Sequence, residues 1–129
     1  MNEKRLGVIA CFFGFSGILL GAFGAHALKE KLPVEMLSIF ETAVRYQMYH
    51  VVPLFFLSMN LKGTMSKSIA FSAWFFVIGV VIFSGSLYTL ALSGVKAWGA
   101  VTPLGGLALM IGWLFLGIGI IKTKEMKKC

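Results

Sequence analysis

The side chains able to do chemistry gather in one part of the chain. Both histidines, His26 and His50, fall there together with Glu41, Arg45, Tyr46, Gln47 and Tyr49, pressed against long apolar runs in a chain of 129 residues. At helical spacing Glu41, Arg45 and Tyr49 share one face, and Tyr46 and His50 share the face beside it. Two chemistries fit the first face. Glu41 and Arg45 can form an ion pair that steadies a helix at an interface, or Glu41 can hold Arg45 toward an anionic group such as a lipid phosphate or a solute carboxylate.

His50 lies within an apolar stretch, where an ionisable side chain faces other helices and has a partner. One reading is a hydrogen bond to Ser84, Ser86, Tyr88 or the Tyr49 carbonyl, which Pro53 leaves without its usual donor. The other is a ligand or a handled proton, since imidazole titrates near neutrality. A metal or haem held by His26 with His50 would be a thin site, because no cysteine or carboxylate stands at ligand spacing. No metal site and no cofactor are therefore expected. Gly105 and Gly106, after Thr102 and Pro103, either present uncovered amides at a positive helix end or let helices approach. The sequence holds no nucleophile with a base, no paired acids within an apolar run and no phosphate-binding glycine loop, so an intramembrane enzyme is not expected.

The elements that position these residues follow from composition. With 58% hydrophobic and 13% charged residues and a mean hydropathy of +0.87, the chain is too apolar for a soluble domain of its length. The net charge of +7 sits at the edges of uncharged runs, where lysine and arginine anchor helix ends to headgroups, and this excludes a nucleic-acid surface. Cys11 and Cys129 are too few for a disulfide framework and are expected to be reduced.

Four spans are predicted, at about 6–25, 45–61, 69–93 and 103–121, in one membrane domain covering 1–129. The first also mimics a signal peptide ending at Ala25-His26-Ala27, and a retained span is the expectation. Pro33 opens a helix whose segment 33–44 is amphipathic and whose apolar part is kinked at Pro53. Turns are expected at Lys62–Lys67 and Gly94–Gly99, and Thr102 as N-cap with Pro103 opens the last helix. Lys4, Arg5, Lys62, Lys67, Lys122, Lys124, Lys127 and Lys128 outnumber Lys29, Lys31, Arg45 and Lys96, so both termini are expected in the cytoplasm. In that frame His26, Arg45 to His50, Ser84, Ser86, Tyr88 and Thr102 fall at one depth, an outer-leaflet cluster.

Small residues recur every seven positions: Gly7, Gly14 and Gly21 in the first span, Ser72, Gly79, Ser86 and Ser93 in the third, Gly105, Gly112 and Gly119 in the fourth. In lipid, helices associate where small residues let backbones approach, and this period describes a compact left-handed four-helix bundle. The same stripes could serve a homo-oligomer. Phe-Ser-Gly recurs at Phe15 and Phe83, too short a match to establish a duplication.

Gly21-Ala-Phe-Gly-Ala-His26-Ala-Leu, Glu41-Thr-Ala-Val-Arg45-Tyr46-Gln47-Met-Tyr49-His50, Phe83-Ser-Gly-Ser-Leu-Tyr88, Thr102-Pro103-Leu-Gly105-Gly106 and Gly112-Trp113 together resemble the signature segments of the YgdD/YwdK family. These are small bacterial inner-membrane proteins carrying a domain of unknown function, related to a small mitochondrial transmembrane protein. The resemblance covers nearly the whole chain in order. It implies a four-helix integral membrane protein of the cytoplasmic membrane and no assigned activity.

Two functions are carried forward. The first is a binding or accessory protein whose outer-leaflet pocket holds a lipid headgroup, a quinone-like amphiphile or a partner membrane subunit. The second is a small solute or proton transporter or channel, which would need a polar path through inner halves offering little beyond Cys11, Ser16, Ser58, Asn60 and Ser72.

Overall fold

A computed structural model describes residues 2–60 and 67–126. The expected turn at Lys62–Lys67, apart from Lys67 itself, and the tail with Lys127, Lys128 and Cys129 lie outside the described residues. The described chain is all-α: α1 (Glu3–Phe23), α2 (Val34–Asn60), α3 (Lys67–Ser93) and α4 (Thr102–Met126). Three stretches are long and apolar enough to cross a membrane, Glu3–Leu28, Lys67–Ser93 and Lys96–Lys122. Helix α2 matches α3 in length, at 27 residues each, but carries Glu35, Glu41 and Arg45.

Local chemistry sets the boundaries. Asn2 Oδ1 accepts the Arg5 amide at 2.9 Å, capping α1 three residues earlier than the uncharged run begins, because charged residues start a helix as readily as apolar ones. Beyond Phe23 the chain continues as one wide π turn, Gly24–Leu28, closed by Leu32 N–H donating to the Leu28 carbonyl at 2.9 Å. Pro33 then sits where its missing N–H costs nothing and accepts from Leu37 at 2.9 Å, starting α2. Gly94 ends α3 at φ 70°, a left-handed conformation that glycine adopts without Cβ strain.

A 3-10 turn, Lys96–Ala100, leads into α4. Thr102 is the first residue of α4 rather than a cap outside it. Its hydroxyl instead pairs sideways with Ser86 Oγ on α3 at 2.8 Å and reaches the Trp98 carbonyl at 3.3 Å.

Extensive packing joins consecutive helices, α1 with α2, α2 with α3, and α3 with α4. Within its most apolar window α3 is 44% buried, against 22% and 28% for the windows of the first and last stretches, so α3 is central. The glycine stripes are the contact lines. A Cβ on Gly7 would lie 3.5 Å from Ser58 Oγ, on Gly14 3.6 Å from Val51 and on Gly21 3.4 Å from Val44, so α1 and α2 run antiparallel in one register over fourteen residues. Between α4 and α3 the approach is closer. Gly105, Gly112 and Gly119 lie against Phe83, Phe76 and Ile69, again seven residues apart on each helix. At Gly105 the neighbours are the backbone N and Cα of Phe83. Leu6, Ala10, Phe13, Leu54, Phe76, Val80 and Leu109 fill the core between these lines.

Candidate functional site

The registers fix depth. Gln47 is the midpoint of α2, and Gly17, near the centre of Glu3–Leu28, lies against Met48 and Gln47. Phe76 is ten residues into α3 and Trp113 twelve residues into α4. The polar residues of α2 therefore stand level with the middles of the other helices. His26 and Thr102, at helix ends, do not share that level, so the residues expected at a single depth are spread along the bundle.

At that middle level the polar groups satisfy one another. Gln47, 5% exposed, donates from Nε2 to the Phe13 carbonyl at 2.8 Å and to Ser16 Oγ at 2.9 Å. Its Oε1 accepts from Tyr88 O–H at 2.9 Å. One amide thus ties α1, α2 and α3. Tyr88 reaches down because helical side chains lean toward the N-terminus, and its ring meets Phe40 edge-on at 5.0 Å.

His50, also 5% exposed, has both ring nitrogens engaged. Trp113 Nε1–H on α4 donates to Nε2 at 3.2 Å. Nδ1 must then carry the proton, which it donates to the Tyr46 carbonyl at 2.7 Å. Phe76 flanks the ring at 5.4 Å. None of the four partners considered in the sequence is used. Trp113 was missed as a site residue, although a tryptophan deep in an apolar helix carries an N–H that must find an acceptor.

Nearer the α3–α4 turn, Ser84 Oγ donates to the Ala43 carbonyl at 2.8 Å, and Ser86 pairs with Thr102 as above while also bonding the Phe83 carbonyl at 3.0 Å. These are seams between helices. Gly105 is buried under Phe83 and Gly106 packs 3.6 Å from its ring, so of the two readings for these glycines the close-packing one describes their surroundings. His26 is exposed in the π turn, apart from the buried His50, and no group of three metal-binding side chains occurs among the described residues. Cys11 is a free, exposed thiol.

What remains open lies on the α1 side of α2. A groove of about 380 Å³ runs between the helices, floored by Gly21, Gly24, Phe40 and Val44 and edged by Glu41, Arg45, Met48 and Tyr49. The two glycines make it, since side chains there would fill the space over Val44 and Phe40. Glu41, Arg45 and Tyr49 are exposed along its edge. Among the described residues no ion pair joins Glu41 to Arg45, contrary to both sequence readings, each of which had Glu41 hold the guanidinium. By the α1–α2 register Arg45 is level with Leu20, eight residues inside the end of the first apolar stretch, or about 12 Å. Tyr46 is not among the groove's lining residues; its ring packs at a tilt against Phe83, centroids 4.5 Å apart.

The fold and site define a small all-α membrane protein with polar contacts between its helices and an open groove edged by charged side chains. Residues 20–106 match the family model described as "Protein of unknown function (DUF423)". The chain is 35% identical over 125 residues to the UPF0382 inner membrane protein YgdD of Escherichia coli, covering 97% of this chain and 95% of that one. It is 43% identical over 106 residues to the UPF0382 membrane protein YwdK of Bacillus subtilis, covering 80% and 85%. With a UPF0382 membrane protein of Staphylococcus saprophyticus it shares 46% identity over 102 residues, covering 79% and 84%. The chain belongs to this DUF423, or UPF0382, family, and it is a membrane protein of the bacterial cytoplasmic membrane. No solved structure matches it.

Proposed function

We propose that this chain is a non-catalytic binding or accessory protein of the membrane whose lateral groove between α1 and α2 holds the polar head of an amphiphile. One observation carries the reading: an exposed arginine without an acidic partner among the described residues edges an open groove at a level inside the apolar run of α1. A charge placed in that way costs about 2.5–3.5 kcal/mol at a span centre, and an anionic group bound to Arg45 offsets the cost. Guanidinium suits phosphate or carboxylate because its donors form a planar fork.

The reading takes all four long helices as spans, α2 included, with both termini cytoplasmic, in a left-handed bundle kinked at Pro53. Its support is the shared register of α1 and α2 over fourteen residues, the seven-residue period of the contacts and the lysine and arginine count. The test is mass spectrometry of the protein extracted directly into native-lipid discs. Arg45→Ala should lose a stoichiometric bound lipid or quinone-like molecule while keeping its thermal stability; unchanged retention removes the proposal. A partner subunit or a ring of copies on the same site would replace the lipid, and a proton or solute flux in liposomes that His50→Gln abolishes would favour transport instead.

A further inference from the structure

Helix α2 places an acid and a base on one groove edge, and in this structure they are not paired with each other. Glu41 lies four residues N-terminal to Arg45, the order that best favours a helical ion pair. Yet both side chains edge the same open volume and no ion pair joins them. Between them along the axis lie about 6 Å. A purely anionic ligand would gain from Arg45 and be repelled by Glu41. A purely cationic one would meet the reverse. The arrangement is complementary to a ligand carrying both charges a short distance apart.

The lower edge of the groove narrows the source. Val44, Met48, Tyr49 and Phe40 continue the lining with apolar surface, and Val52 and Phe56 extend the exposed apolar side chains toward the other end of α2. A headgroup at Glu41 and Arg45 would therefore leave its acyl chains running along apolar helix. The volume, about 380 Å³, is roughly a dozen times the ~30 Å³ that one water occupies, enough for a phosphate, a two-carbon bridge and an amine.

We infer that the groove selects a zwitterionic aminophospholipid headgroup, with Arg45 donating to the phosphate and Glu41 accepting from the primary ammonium. This rests on the groove being a lipid site, and it adds which headgroup the site prefers. Glu41 acts as the discriminator, since an anionic headgroup without an amine leaves its carboxylate facing a like charge.

The experiment is native mass spectrometry of the full chain in detergent, titrated with an equimolar mixture of phosphatidylethanolamine and phosphatidylglycerol bearing the same acyl chains. The wild type should retain the ethanolamine lipid about tenfold over the glycerol lipid, the scale of one charge-assisted hydrogen bond. Glu41→Gln should bring the two to near parity while keeping binding, and Arg45→Ala should lose both. If Arg45→Ala loses both lipids but Glu41→Gln keeps the wild-type preference, the headgroup inference fails and the groove reading stands. If Arg45→Ala loses neither, the groove reading itself fails. Displacement of bound lipid by soluble phosphoethanolamine at matching concentration would overturn the lipid source in favour of a free solute. Both side chains are exposed, so the variants should melt with the wild type, and that melt is run alongside.

Discussion

Substituting glycines one at a time on α4 separates packing from helix propensity. Gly105 and Gly117 lie on the same helix. A Cβ on Gly105 would meet the backbone N and Cα of Phe83, whereas a Cβ on Gly117 would meet nothing within 4 Å. Both changes to alanine gain the same propensity, up to about 1 kcal/mol, so that gain cancels in the comparison. What remains is the cost at Gly105 of pushing two helical backbones apart, which no side-chain rotation relieves. Overpacking of a close-packed interior costs about 1–3 kcal/mol. Gly105→Ala should accordingly be less stable than Gly117→Ala by about that amount, measured as the shift in unfolding midpoint when sodium dodecyl sulfate is titrated into the protein in mild-detergent micelles. Equal midpoints would mean that α4 does not lie on α3 in this register.

Gln47→Leu removes three hydrogen bonds across α1, α2 and α3; at about 0.6 kcal/mol for each interhelical bond in a membrane the same titration should show a loss of about 2 kcal/mol, and Tyr88→Phe about a third of it. Gly7→Cys with Ser58→Cys, in a background lacking Cys11 and Cys129, should form a disulfide on mild oxidation, because a Cβ on Gly7 lies 3.6 Å from Ser58 Cβ; Gly7→Cys with Val51→Cys, two turns away, should not. Ser72 is 0% exposed and its Oγ has no hydrogen-bond partner among the described residues, so Ser72→Ala should be neutral or stabilise by up to about 1 kcal/mol, and a loss beyond 1 kcal/mol would reveal a partner. Trp113→Phe should leave His50 Nε2 without its donor, visible as a changed imidazole nitrogen resonance; an unchanged resonance would place the two rings apart.

Periodicity carried the fold well because it is a one-dimensional signal. The seven-residue glycine rows of the first and fourth spans became the α1–α2 and α3–α4 contact lines, and Pro33 and Gly94 punctuate the chain where their backbone chemistry requires. Depth did not read as well. Glu41 and Arg45 looked like the edge of a span, yet by the α1–α2 register Arg45 lies beside residues inside the first apolar stretch, a relation stored in the contact of Gly21 with Val44 rather than in either helix alone. The candidate site separated for a similar reason. Gln47 and His50 bind a main-chain carbonyl each, and a carbonyl has no residue identity to search for. Trp113 did offer a signal in its indole donor within an apolar helix. The π turn at Gly24–Leu28 was invisible, since it depends on how one helix end meets the next.

The most direct test of a lipid-holding groove is photo-crosslinking with a phospholipid that carries a diazirine close to its headgroup, followed by peptide mapping of the adducts. Adducts concentrated on the segments around Gly21–Gly24 and Phe40–Tyr49, and reduced by Arg45→Ala, are the predicted result. Adducts spread evenly over the exposed apolar faces of α1 and α4, unchanged by that substitution, would contradict it.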